Sequence, residues 1–173
     1  MNDKVFKTLE LDKVLDEVAR YAYTDTAKNN IKALKPFHSE AMLLRRLDML
    51  EQAVALSQLK GRIPLEGIAP AGEYAVHAQK GGLLRHEALM KISSMLRTVK
   101  HLKRFILTNT DSVSTPILDE YAEDLEPLNK LASDIDASII SENDIADTAS
   151  NVLYDIRRKI KNANSSIKDK RCV

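Results

Sequence analysis

Several residue types that mark β-rich, secreted or membrane proteins are scarce in this chain of 173 residues. Trp is absent, aromatic residues make up 5%, and Gly and Pro number five each. Because strands favour aromatic residues, a composition dominated by Leu, Ala, Lys and Glu favours helices instead. No apolar run approaches the roughly 18 residues of a membrane span, and the polar first residues contain no signal-peptide core. The single Cys172 excludes an internal disulfide, which agrees with a reducing cytoplasm.

Apolar residues recur at helical spacing along most of the chain, and the caps Thr24, Ser39 and Ser150 mark helix starts. Turn residues at the centre of residues 140–146 are typical of a small hairpin. The expected fold class is therefore all-α, with one small β-hairpin near 139–146. The predicted helices cover residues 9–23, 25–34, 39–61, 70–80, 84–109, 117–125, 128–139 and 150–170. The third of these has an apolar side that consists of Leu43, Leu47, Leu50, Val54 and Leu59.

The last predicted helix has a narrow apolar seam. Its members follow spacings of 3, 4, 3 and 4, namely Leu153, Ile156, Ile160, Ala163 and Ile167. This is the pattern by which a helix pairs with a partner helix. We expect residues 1–149 to form a helical core domain and residues 150–173 to begin a longer helical arm of a larger protein. The alternative is a terminal helix that packs on its own domain.

Charge is strongly segregated although the net charge is only +1. Residues 88–110 contain no acid, residues 111–147 contain eleven acids and one base, and residues 157–171 contain seven bases and one acid. Such blocks indicate solvated faces, pairing between neighbouring elements, or a basic groove wall. The candidate nucleic-acid-binding residues are three cations of the last helix and a basic stripe on the fifth: Arg157, Arg158, Lys161, Arg97, Lys100 and Arg104.

No motif with catalytic or metal-binding chemistry stands out. A phosphate-binding loop needs glycines and a Lys-Ser/Thr pair at fixed spacing, which neither the pair at 81–82 nor the pair 61 and 67 provides. The four histidines lie in different segments, and none has a partner at the spacing of a helical zinc site. We therefore assign no catalytic, cofactor-binding or metal residues to this chain.

Several segments, in order, resemble the N-terminal region of the bacterial MutS type II family, the MutS paralogues that lack a mismatch-reading domain. They are KTLELDKVL (7–15), AKNNIKALKP (27–36), GRIPLEGI (61–68), KGGLL (80–84), LRTVKHLKRF (96–105), IISEND (139–144), DTAS (147–150) and LYDIRRKI (153–160). The resemblance covers about residues 5–170. The acidic residues 111–126 carry no signature of the family.

The resemblance implies a core domain of the MutS core and lever type, with the last helix as the start of the lever. Proteins of this family have an ATPase domain that binds ATP and Mg, form homodimers, and usually end in a nuclease domain. They are associated with branched or duplex DNA, control of recombination and repair, and stalled ribosomes. The ATP-binding and nuclease motifs have no matching positions here, so this chain itself is expected to lack both activities and cofactors.

Three functions remain open from the sequence. In the first, the chain is part of a clamp on nucleic acid or the ribosome, and its basic helix faces contact the phosphates of that partner. In the second, it is a structural helical interaction module whose basic residues pair with the acidic block or with other parts of the protein. In the third, it is a free-standing helical regulatory protein.

Overall fold

A computed structural model describes residues 8–108, 113–141 and 144–171, with side chains described through Ile167. It confirms the all-α class with one small hairpin. The helices are α1 (Leu11–Ala19), α2 (Asp25–Lys32), α3 (Glu40–Lys60), α4 (Ala71–Gln79), α5 (His86–Leu107), α6 (Pro116–Glu123), α7 (Asn129–Ser138) and α8 (Asn151–Arg171). Strands β1 (Ile139–Ser141) and β2 (Asp144–Ile145) pair antiparallel, and a 3-10 turn spans Asp147–Ala149. Within these ranges, no helix is both long and apolar enough to cross a membrane.

Local side-chain chemistry sets the helix starts as predicted. Thr24 Oγ1 accepts from the Ala27 amide at 3.1 Å, and Ser39 and Ser150 accept in the same way from Met42 and Leu153. Each hydroxyl satisfies an amide that has no partner within its helix. Helix α3 ends at Gly61, whose φ of 83° lies in the region that glycine adopts without a Cβ clash. The predicted ends differ from the observed ones by a few residues, the usual uncertainty at frayed termini.

The chain divides into two compact units, of which the first comprises Met1–Ile68 and His101–Leu125. Its core joins α3, the end of α5 and α6 through Leu56, Ile106 and Ala122. Leu102, Phe105 and Leu118 pack against that cluster. Helices α1 and α2 pack on each other within the same unit, with an ion pair of 2.8 Å between Asp16 and Lys32.

Helix α3 has one apolar side that stays open, and the first unit buries a different face of the helix. The predicted side from Leu43 to Leu59 stays between 41% and 60% exposed, whereas Leu56 is 2% exposed. Leu56 shares its face with Gln52, whose Oε1 accepts from the Ile117 and Leu118 amides at the start of α6. The charged end of this face is Arg45, which pairs with Glu120 at 2.7 Å. Helix α3 therefore packs on α6 through one face and leaves the other open.

The second unit comprises Ala69–Lys100 and Glu126–Val173. Ser93 of α5 is fully buried and donates to Asp136 of α7 at 2.5 Å. Helix α7 leads directly into the hairpin, where Ile139 is the register partner of Ile145. An open apolar groove of about 360 Å³ lies between these elements; its lining includes Leu84, Leu89, Ile135, Ile139 and Ile145.

Candidate nucleic-acid interface

Arg157 of α8, a predicted nucleic-acid contact, is engaged in contacts within the second unit. Its Nη1 donates to the main-chain oxygen of Ile145 at 2.8 Å and also to Asp147. Its Nη2 lies 3.6 Å from a carboxylate oxygen of Asp144. The guanidinium thus faces three oxygens supplied by the hairpin and the 3-10 turn, a geometry that suits the planar fork of arginine.

The same contacts favour the charged form of this arginine. The hydrogen bond that Arg157 donates to Asp147 is the main cause that raises the pKa of Arg157 above its ordinary value. Desolvation acts in the opposite direction, and the charges of Asp147 and Asp144 add to the rise. The positive charge of Arg157 is thus already matched by carboxylates of the same unit.

Arg158 and Lys161, the other two predicted contacts on α8, are far less constrained. Arg158 lies 3.5 Å from Asp155, one turn earlier, and both side chains are more than half exposed. Lys161 is exposed and has no ion pair among the side chains that the structure describes. Because the two residues are three positions apart, they lie on one face of the helix. Of the three predicted contacts on α8, these two are the ones that the structure leaves accessible to a phosphate.

The predicted basic stripe on α5 is not uniform. Arg97, in the second unit, lies 3.3 Å from Asp136, the carboxylate that also accepts from Ser93. Lys100, also in the second unit, is exposed. Arg104, in the first unit, is exposed beside an open groove that Phe105 also lines. Arg97 is therefore paired within its unit, whereas Lys100 and Arg104 have no ion pair among the side chains that the structure describes.

Two further lysines have structural partners that the sequence did not reveal. Lys60 Nζ donates to the main-chain oxygens of Phe105, at 2.6 Å, and Thr108, and it lies 5.5 Å from the centre of the Phe105 ring. Lys103 Nζ donates to the oxygens of Glu123 and Leu125. Both satisfy carbonyls at helix C-termini, where positive charge is favourable. No local pattern distinguishes such a lysine from a solvated one, because its acceptors are distant in sequence.

Ligand chemistry of other kinds finds little support in the part of the chain that is described. Among residues 8–108, 113–141 and 144–171, no three His, Cys, Asp or Glu side chains come together as a metal site would require.

His77 packs against Gly82, where a Cβ would meet its ring at 2.3 Å. A side chain at position 82 would therefore require the exposed His77 ring to move.

Comparison with known proteins extends over nearly the whole chain. No family model matches the sequence. The protein named Endonuclease MutS2 from Clostridium botulinum (strain Alaska E43 / Type E3) is 35% identical over 170 residues, which are 98% of this chain and 22% of the relative. That of Clostridium perfringens (strain SM101 / Type A) is 38% identical with the same coverage, and that of Clostridium novyi (strain NT) is 34% identical over 168 residues, 97% of this chain and 21% of the relative. The chain thus spans about a fifth of the length of these relatives and is related to one segment of MutS2 proteins.

Proposed function

We propose that this chain is the N-terminal core and the start of the lever of a cytoplasmic, MutS-like DNA-binding ATPase. Its similarity to proteins named Endonuclease MutS2 over 98% of its length supports this most directly. In the proposal, ATP, Mg and the nuclease activity belong to other domains of a homodimeric protein without a mismatch-reading domain. That protein acts on branched or duplex DNA in recombination and repair, or on stalled ribosomes.

The role proposed for this segment is that of a scaffold. A soluble monomer rarely leaves long apolar stripes open, and such surfaces mark sites where other protein packs. Helix α3 has one such stripe, from Leu43 to Val54, and α8 has another, from Ile156 to Ile167. Both have the 3 and 4 residue spacing that helix partners use. We infer that these stripes pack against other parts of a longer protein.

Direct contact with nucleic acid is the second part of the proposal. Arg158 and Lys161 are exposed on one face of α8, as Lys100 is on α5. Basic side chains of this kind neutralise phosphates without reading sequence, so binding would weaken steeply with salt. Among the described side chains of α8, Tyr154 is the only aromatic one that could stack on a base. Because a single strand is bound by a series of stacking residues, duplex or junction backbones are better partners.

Retention of a four-way junction, a duplex and a single strand at two salt concentrations tests this contact. The double variant Arg158→Glu with Lys161→Glu removes two phosphate partners and leaves Arg157 in place. We expect weaker retention and a log–log salt slope smaller in magnitude by about 1.8. The matched control, Lys35→Glu with Lys130→Glu, makes the same change in net charge at exposed positions and should bind with nearly the original slope.

The alternative is a purely structural helical module with no nucleic-acid binding of its own. The commitment of Arg97 and Arg157 to carboxylates within the fold favours it. It predicts no retention of any of the three DNA forms even at low salt. Equal loss of retention in both double variants would instead argue against a specific contact on the α8 face, because the effect would then follow net charge.

A further inference from the structure

Helix α8 is attached to the rest of its unit by one short face near its start. From Asn151 to Ile167, only Leu153 and Arg157 are partly buried, and they lie four residues apart on the same side. Each described side chain after Arg157, through Ile167, is exposed. Arg157 is therefore the last described residue of α8 that the unit partly covers.

The segment that Arg157 contacts is the connection through which the chain enters α8. Ile145 ends β2, and Asp147 begins the 3-10 turn that precedes Ser150, the helix cap. Main-chain hydrogen bonds along this connection run from Ala146 to Ser138, at 2.9 Å, and from Ala149 to Ala146, at 3.0 Å. Arg157 adds side-chain bonds that tie the second turn of α8 back to both the strand and the 3-10 turn.

The neighbouring basic residues provide an internal comparison. The side chain of Arg157 is 37% exposed and meets acceptors from residues 144–147, whereas that of Arg158 is 61% exposed and meets only Asp155 of its own helix. A lysine at position 157 would keep the charge but would replace the planar fork by one compact ammonium. The chemistry at position 157 thus depends on guanidinium geometry and goes beyond positive charge.

We propose that Arg157 is a positioning residue that fixes the direction in which α8 leaves the hairpin, and that it is not a nucleic-acid contact. The bridge to Ile145 and Asp147 holds the connection 146–150 in one conformation, so that α8 is a rigid continuation of the unit. This inference deepens the proposed function. It rests on that proposal in one respect, namely that α8 is the start of a lever.

Amide hydrogen exchange on the chain without DNA tests the inference. The variants are Arg157→Gln, Arg157→Lys and Asp147→Asn, with Arg158→Gln as the control on the same helix. We expect about tenfold faster exchange at the Ala146, Ala149 and Leu153 amides in all three variants, and unchanged exchange in the control. Since Asp147 and Arg157 act as one unit, combining Asp147→Asn with Arg157→Gln should add little to either alone.

A phosphate-binding role makes opposite predictions. In that case Arg157→Lys would retain DNA as the original chain does, Arg157→Gln would lose DNA without faster exchange, and Asp147→Asn would bind DNA more tightly because a competing carboxylate is gone. Wild-type exchange rates in Arg157→Lys would overturn the positioning role. Because exchange is measured without DNA, a failure of the original chain to bind DNA would count against the proposed function alone.

Discussion

At the scale of single residues, Asp136 joins two helices of the second unit. Ser93, fully buried on α5, and Arg97, one turn later on the same helix but exposed, both donate to one carboxylate oxygen of Asp136 on α7. The buried hydroxyl has no water to replace a lost acceptor, whereas an exposed guanidinium is readily solvated. We therefore attribute most of the stabilisation by Asp136 to its bond with Ser93.

Replacement of Asp136 by Ala should lower the free energy of unfolding by about 1–3 kcal/mol, because the Ser93 hydroxyl is left buried without its acceptor. Urea denaturation of the chain measures this change. The neighbouring substitution Asp134→Asn, at an exposed carboxylate, serves as the control. Adding Ser93→Ala to Asp136→Ala should recover part of the loss; a further full loss would mean that the two side chains contribute independently.

Arg157 illustrates at the same scale what the sequence leaves open. Its place in a basic helix made it a candidate nucleic-acid contact, yet nothing in the local pattern separates it from Arg158. The difference arises because the hairpin and the 3-10 turn bring Asp144, Ile145 and Asp147 beside one arginine and not the next. Whether the six candidate cations bind nucleic acid stays a prediction.

At the scale of elements, α3 is a helix that buries one face and leaves its apolar side open. Apolar periodicity predicted the helix, and the residue types Ser39 and Gly61 predicted its start and its end, because these features depend on neighbouring residues. The choice of buried face depends on Ile106 and Ala122, which approach from distant parts of the chain. The sequence therefore predicts the element reliably but does not identify which of its faces packs.

Truncation of one leucine on each face of α3 gives a matched pair. Leu56→Ala should lower the free energy of unfolding by about 2–5 kcal/mol, since it leaves a cavity beside Ile106 and Ala122. Leu50→Ala should change it by less than about 0.5 kcal/mol, because Leu50 is 60% exposed. Thermal or urea denaturation measures both. Equal losses would show that the open face is covered in solution, for example by a second copy of the chain.

At the scale of the whole molecule, ion pairs within each unit partly neutralise the acidic and basic blocks of the sequence. The acidic block supplies Glu120 to Arg45 in the first unit, and Asp136, Asp144 and Asp147 to arginines in the second. All of these pairs are partly or largely exposed, so each contributes little free energy. The division into two compact units does not test the predicted boundary between a core of residues 1–149 and an arm of residues 150–173. That boundary stays a prediction.

Global stability should accordingly depend only weakly on salt. Between about 0.05 and 0.5 M NaCl, we expect the free energy of unfolding in urea to change by less than about 1 kcal/mol, since exposed pairs are already screened by solvent. DNA retention should fall steeply over the same range. A loss of stability well above this bound would identify the ion pairs, instead of the small apolar cores, as the main support of the fold.

The attachment of α8 at Arg157 also has a geometric consequence. Ten residues separate Arg157 from Ile167, and at about 1.5 Å of rise per residue they correspond to a rod of about 15 Å. A tilt of about 10° at the attachment would displace the far end of that rod by about 2.6 Å. A substitution at Arg157 that tilts α8 would therefore displace the helix by an amount that grows with distance from the attachment. The far end would move most, although none of its own contacts had changed.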